Sequence, residues 1–411
     1  MKKTDLKTED LLFKIVQVAI YTAPVLMVFS RNISTPILCF VALLLCCIAF
    51  NRSKFGNKLS PDENLLFKIS VLTIITLFAF MAISSLWSAN PIRALQSTSG
   101  IMAVAVVCTL SLLSLKMLPM RSVLSSELFV IILLITAILI LEELAFGSQL
   151  RILLGGSGDA FRINRAAVAL VLYLPCALSI MSKDNRGLFL GSLNLITIGC
   201  AVFLSESESA KLAFLIVVTA LPFFVLFARK VFWLFASLIV LSLVILPILS
   251  PLLSTVLKVI VSDGASYGSA GIRADIWAAY AKQFINAPFF GHGVEGSYSA
   301  GVIYKENNGP DQLLARMHPH NFAVQVWYEL GLLGVMLFSA LIVMYFRALW
   351  FVPDKFLPAI LTTTAAVWTI SLVSHGAWQA WWWSLVGLLV LLWVIVLRAD
   401  EALSAQDQIT D

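Results

Sequence analysis

The sequence predicts an all-α, polytopic membrane protein with about twelve transmembrane helices, and three observations carry that prediction. Of its 411 residues 60% are hydrophobic and only 12% charged, and its mean hydropathy is +0.94; a soluble surface needs roughly a quarter charged residues. Apolar runs of about 20 residues recur along the chain, each long enough to cross ~30 Å of hydrocarbon as a helix. The period-two patterning of a membrane barrel is missing. Lipid offers no partner for a free backbone N–H or C=O, so such runs fold as helices.

Taken in order, the expected spans lie at roughly 11–29, 33–50, 68–87, 98–115, 124–145, 165–182, 187–204, 210–228, 231–249, 321–346, 356–374 and 380–397. The first follows Met1-Lys2-Lys3 and is too long for a signal-peptide core, with no small-residue cleavage site, so it counts as a span. An even number puts both termini on one side. Sixteen Lys and Arg (from Lys2, Lys3 and Lys7 through Arg229 and Lys230 to Arg398) fall in loops on that side. Six fall in short loops on the other: Arg31, Arg93, Arg151, Arg162, Arg165 and Lys211. The positive-inside rule then places both termini in the cytoplasm. The chain reads as one integral membrane domain, 1–411, with a long loop, 250–320, inserted between spans nine and ten. That loop faces away from the cytoplasm, which in a bacterium is the periplasm.

The net charge of +5 follows from this topology and does not point to nucleic acid. Cys39, Cys46, Cys47, Cys108, Cys176 and Cys200 all sit in apolar runs, as small buried hydrophobes do, with no disulfide framework or CxxC pattern. Basic residues facing the periplasm are mostly Arg, whose planar fork suits phosphate.

The long loop carries a helical pattern over 272–285, with Trp277, Tyr280 and Phe284 on an inward face and Pro288 ending it. Gly291-His292-Gly293 follows as a flexible turn, and 294–316 reads as a lid or acceptor-binding loop. The loop closes on Arg316-Met317-His318-Pro319-His320-Asn321. Histidine takes a proton near neutral pH. Pro319 biases His318 toward an extended backbone, and Asn321 caps the helix that follows. Arg162 and Arg165 precede span six at headgroup depth, where arginine suits phosphate, and Arg273 lies on the interfacial helix. The blander readings are headgroup snorkelling for Arg162 and Arg165, and an ion pair from Arg273 to Asp275 or Glu295.

His320-Asn321, nine residues, then Gly331-x-x-Gly334 resembles the signature of the bacterial O-antigen ligase family. Arg273-x-x-x-Trp277, Pro288-x-x-Gly291-x-Gly293, Trp87-Ser88 and Arg162-x-Asn164-Arg165 resemble it too. The resemblance implies a GT-C-type glycosyltransferase, inverting and metal-independent, moving a glycan from undecaprenyl pyrophosphate to a sugar hydroxyl of lipid A–core. His320 would be the general base, and Arg162, Arg165 and Arg273 would bind the pyrophosphate. His318, Arg316, Asn321, Glu329, Trp378 and Gln379 would contact the acceptor or support the site. The donor, the acceptor and membrane lipids are the expected partners, with no cofactor. No DxD, HExxH or Cys/His cluster argues for a metal.

Ser205-Glu206-Ser207-Glu208-Ser209-Ala210-Lys211 departs from the Ser-Arg-Gly pattern of related polymerases and ligases, so its acids carry no phosphate role and read as solvated turn residues. Glu329 is a functional candidate within span ten. Gly331 and Gly334 read as small faces for helix packing. Trp381, Trp382 and Trp383 read as an interfacial belt. A polysaccharide polymerase with the same carrier is the alternative function, and a lipid-linked glycan transporter a further one.

Overall fold

A computed structural model of the protein describes residues 3–53, 65–118, 125–181, 184–261, 268–299 and 318–410. Its ordered elements are helices: α1 (Lys3–Phe29), α2 (Ser34–Ser53), α3 (Leu65–Ser84), α4 (Pro91–Lys116), α5 (Ser126–Ala145), α6 (Gln149–Leu153), α7 (Asn164–Ile180), α8 (Asn185–Leu204), α9 (Glu208–Val261), α10 (Gly268–Lys282), α11 (Gly296–Ser299), α12 (Phe322–Leu349), α13 (Leu357–Val373) and α14 (Ala380–Thr410). No strand occurs among the described residues. Nine of these helices are long and apolar enough to cross a membrane, and Lys68–Ser84 and Leu357–Val373 are shorter apolar helices. The chain is a multi-pass helical membrane protein.

The bundle is organised around α7. Every residue from Ala166 to Ala177 is buried, and α1, α5, α8, α9, α13 and α14 pack on it. Ala166, Ala167, Ala169 and Ala177 keep its surface small, which lets neighbouring backbones approach where apolar area alone drives no association. The fold thereby fixes the α7 N-terminus, which carries Arg165, at the centre of one end.

Two expected spans, 210–228 and 231–249, merge into α9, which is helical for 54 residues, about 80 Å if straight at ~1.5 Å per residue. It is not straight. Ser254 Oγ donates to Asp275 on α10 at 2.5 Å, while Glu208, at the other end of α9, acts electrostatically on Arg273 of the same helix. The Phe224 and Phe235 rings also lie 5.0 Å apart. The helix therefore doubles back near Arg229-Lys230, and its second leg is pinned where Trp327 Nε1 donates to Leu243 O (3.1 Å) and Trp368 Nε1 to Ser242 Oγ (2.8 Å).

Three packing expectations change. Cys176 is buried, but Cys39, Cys47 and Cys200 are exposed on the outer faces of their helices, where lipid rather than protein covers apolar side chains. Trp381 and Trp382 are 6% and 2% exposed, so they fill the bundle instead of girdling it. Gly331 does not serve a helix–helix contact. It breaks α12 with φ 60° and ψ −159°, a conformation that L side chains rarely adopt.

The break in α12 explains the glycines of a distant segment. Leu332 N donates to Pro288 O (2.9 Å) and Leu333 N to Phe289 O (3.1 Å); in return His292 N donates to Tyr328 O (2.9 Å) and Gly293 N to Glu329 O (2.8 Å). Backbone groups freed by a broken helix must find protein partners in lipid, and 288–293 supplies them. A Cβ on Gly331 would sit 2.6 Å from the Phe289 carbonyl carbon, and one on Gly291 2.3 Å from that of Glu329. Gly334 lies beneath the Leu330 side chain, 2.2 Å from a built Cβ. The 291–293 turn, expected to be flexible, is thus locked. Trp87 Nε1 donates to Gly291 O (3.2 Å), Ser88 Oγ to Val294 O (2.7 Å), and Val294 N to Ser84 Oγ (3.2 Å).

Candidate active site

His320 sits just before α12 with φ 53°, a left-handed conformation costing a non-glycine residue about 1–2 kcal/mol. Its neighbours hold it there. Trp277 Nε1 of α10 donates to Pro319 O (2.9 Å), and Asn321 Oδ1 caps α12 by accepting from Val324 N (3.0 Å). The His320 backbone N–H points at His318 Nδ1 (3.2 Å). The His320 ring meets the carbonyl of Ser374, which caps α13, through Nδ1 at 2.8 Å. A carbonyl only accepts, so Nδ1 carries the hydrogen and the neutral ring keeps its lone pair on Nε2. Burial lowers the His320 pKa, the Ser374 contact opposes that, and Arg273 lowers it further. The ring is therefore a neutral base with one nitrogen available.

His318 is placed differently. Its ring lies 4.3 Å from that of His320 and packs flat on Gly376, where a Cβ would come within 2.9 Å of it. Its Nε2 lies 3.1 Å from the Gln379 amide. Burial, His320 and Arg93 push its pKa down to about 3. With its Nδ1 accepting from the His320 backbone N–H, it supports His320.

Around the pair lie His375, Arg165 and Arg273. Burial drives the His375 pKa well down, and the charges of Arg165, His318, His320 and Arg273 all add to that, which puts the five groups in one electrostatic neighbourhood. His375 Nε2 is buried without a partner among the described residues. The Arg165 guanidinium lies 4.0 Å over the Trp381 ring, donates to Arg31 O (3.3 Å) and bonds Asn32 Oδ1. It stands at the positive end of the α7 dipole. Arg273 lies one turn before Trp277 and makes no ion pair with Asp275 or Glu295. Asp275 accepts from Ser254, and Glu295 pairs with Arg93 at 2.9 Å. Glu206 and Glu208 are exposed, and Lys211 pairs with Glu208 (2.9 Å).

Glu329 does not touch His320; it is the buried joint beneath the site. Its carboxylate accepts from Glu295 N (2.7 Å), Ser297 N (3.3 Å), Ser297 Oγ (2.5 Å) and Gln325 Nε2 (3.0 Å), and also from Trp378 Nε1. Gln325 Oε1 accepts in turn from Ala377 N (2.8 Å). One carboxylate thus ties α12 to the 295–297 turn and to the 375–379 connection that carries the histidine and Gln379 contacts. Trp378 is 6% exposed, and its Nε1 is committed to Glu329. Gln379 Oε1 accepts from Trp381 Nε1 (2.8 Å), which couples the Arg165 platform to His318.

Of the expected site residues, His318, His320, Arg165, Arg273 and Gln379 converge, while Glu329, Asn321 and Trp378 hold them. Arg162 turns instead to Asp159 (3.3 Å) and to a separate pocket. Arg316 and most of the expected lid, 300–317, lie outside the described residues. Sequence reasoning missed the structural use of Arg93, Glu295 and Gln325. A buried polar i, i+4 pair, Gln325 and Glu329, inside an apolar helix was the available signal.

Residues 193–339 match the family model described as O-antigen ligase. A provisionally named polysaccharide ligase from Rickettsia conorii is 31% identical over 137 residues, a match spanning 32% of each chain. The counterpart from Rickettsia prowazekii is 29% identical over 140 residues, 32% of this chain and 33% of that one. One from Rickettsia typhi is 24% identical over 392 residues, 90% of this chain and 93% of its own. The matched region runs from α8 through the broken α12 and contains Arg273, His318, His320, Glu329 and both glycine motifs, so the expectation raised by His320-Asn321 and Gly331-x-x-Gly334 holds: residues 193–339 form an O-antigen ligase family domain.

Proposed function

We propose that this chain is an O-antigen ligase: an inverting, metal-independent GT-C-type glycosyltransferase. It moves a glycan from undecaprenyl pyrophosphate to a sugar hydroxyl of lipid A–core at the periplasmic face of a bacterial inner membrane. The observation that carries the reading is the Nδ1 contact of His320 to Ser374 O, which leaves Nε2 as a base beside Arg165 and Arg273. In the reaction Nε2 takes the proton of the acceptor hydroxyl as its oxygen attacks the anomeric carbon. The bond from that carbon to the pyrophosphate oxygen breaks, and the pyrophosphate leaves with the electron pair. Arg165 and Arg273 balance the charge that develops on it.

The topology belongs to the same proposal. Counting the two legs of α9 separately and adding the two shorter apolar helices to the other eight candidate spans gives twelve crossings. Both termini are then cytoplasmic and the histidines periplasmic, with 250–320 as an insertion in a single membrane domain.

The test is genetic. Deleting the gene and resolving both lipopolysaccharide and carrier-linked glycan on gels should leave long polymer on the carrier and bare lipid A–core. Core bearing at most one repeat would replace the ligase by a polymerase, and carrier-linked glycan confined to the cytoplasmic face would replace it by a transporter.

A further inference from the structure

A second basic site lies beside the histidine cluster, built by residues that the transfer step does not use. A cavity of about 150 Å³ is lined by Arg31 and Asn32 from the α1–α2 turn, Arg151 of α6, Gly156, Ser157 and Arg162. Its floor is a charged side chain withdrawn from solvent. Arg151 is 3% exposed, and Glu143 holds it from one side, accepting from Arg151 Nε (2.8 Å) and Arg151 N (3.0 Å). Arg151 Nη2 donates to Ser148 Oγ (2.5 Å) and Asp159 O (3.0 Å). Nη1 is buried with no partner among the described residues. Leaving a guanidinium N–H unpaired costs free energy that a ligand oxygen recovers.

The rest of the cavity suits an anion. Arg31 is exposed and Arg162 half-exposed, so three guanidinium groups face one space. Among the described residues only Glu143 and Asp159 are paired with them, which leaves an excess of positive charge. The 155–158 turn brings backbone close: Gly155 has φ 77°, Gly156 N donates to Arg151 O at 2.7 Å, and a Cβ on Gly156 would lie 2.9 Å from that oxygen. Asn32 lines this cavity and also bonds Arg165. A group bound here is therefore one side chain away from the Arg165–Trp381 platform.

We propose that this cavity is a phosphate subsite, gripping a phosphoryl group through Arg31, Arg151 Nη1 and Arg162. The phosphoryl group belongs either to the pyrophosphate end of the lipid-linked donor or to a phosphate ester on the acceptor. The binding claim stands alone; its place as a substrate subsite rests on the proposed transfer reaction. Arg162 then works here and not at the histidines, and the site holds one substrate phosphate while Arg165 and Arg273 act on the bond that breaks.

The full chain, purified in detergent in a chloride buffer, is titrated with inorganic phosphate and with inorganic pyrophosphate while thermal unfolding is followed. Saturating ligand should raise the midpoint by roughly 3 °C. Arg31→Gln and Arg162→Gln should each weaken the apparent affinity by at least about tenfold, while His320→Ala and Arg273→Gln keep the phosphate response. Stronger binding of pyrophosphate assigns the subsite to the donor, and equal or stronger binding of phosphate assigns it to an acceptor ester. No stabilisation by either ion, or an unchanged response in both Arg31→Gln and Arg162→Gln, overturns the subsite. Transfer assayed on the same samples keeps that failure separate from failure of the ligase reading.

Discussion

At one end of the bundle Arg229 donates to Asp354 (2.6 Å), Trp350 O (2.6 Å) and Val352 O (2.5 Å). Arg398 nearby bonds Leu115 O and Leu118 O, and Lys355 pairs with Asp400. At the histidine end Arg165 has a carbonyl, an amide oxygen and an aromatic face but no carboxylate among the described residues. Arg273 has no hydrogen-bond partner among the described residues. Arginine cannot shed its charge, so the two ends are in different energetic states. The first is saturated, and its cations clamp loop carbonyls and helix ends. At the second, Arg165 and Arg273 are partly desolvated with no carboxylate bonded to them among the described residues, Glu208 acting on Arg273 only at a distance, and an arriving anion stabilises that charge. The same residue type closes the structure at one end and keeps bonding capacity open at the other.

Substitutions at the two ends break or sharpen that contrast. The largest effect falls on His320→Ala, which should lower transfer by about 10²–10⁴-fold, the usual contribution of a general base, at unchanged protein level on a membrane blot. Arg273→Gln should cost about 10²–10³-fold in kcat, as loss of one preorganised charge does, measured with carrier-linked glycan in proteoliposomes. Gly331→Ala should lower stability by about 3 kcal/mol or more, because it combines a strained φ with a clash against the 289–291 backbone; denaturant unfolding in detergent would read it.

A fourth prediction concerns pH. His318 and His320 both have lowered pKa values, His318 down to about 3. Below the ordinary histidine value near 6.5 the unfolded chain binds protons that the folded site refuses. Stability should therefore be full above about pH 6.5 and fall steadily as pH drops from there toward 3, visible as a falling unfolding midpoint that His318→Gln flattens. The smallest effect belongs to the saturated end. Arg229→Gln should leave transfer unchanged and cost at most about 1 kcal/mol of stability, because its ion pair to Asp354 is solvent-exposed.

The elements were legible in the sequence because membrane helices are coded locally, by length and hydropathy, and because basic residues mark the ends. Asn321 as a helix cap and the 272–285 helix follow from side chains within a few residues of each other; the bond from Trp277 to Pro319, 42 residues on, does not. What pairs across distance was not legible. Gly291 and Gly293 look like a flexible turn until the broken α12 is set against them, because four of their segment's hydrogen bonds are made by residues some forty positions on. By position alone Glu329 could be read only as a functional candidate. Its five donors come from three segments. The tryptophans read as a belt since composition cannot tell a lipid-facing ring from one facing the bundle. Arg162 and Arg165, three residues apart, read as one group, but across the short 160–163 turn Arg162 lines a cavity and Arg165 lies over Trp381.

The central claim is that His320 Nε2 takes the acceptor's proton, and the pH dependence of kcat for glycan transfer to lipid A–core tests it most directly. With purified protein in proteoliposomes, the account predicts an acidic limb below pH 6.5, set by the lowered pKa of His320, and a low, flat residual rate in His320→Ala. A His320→Ala enzyme that retained the acidic limb and the full rate would contradict it.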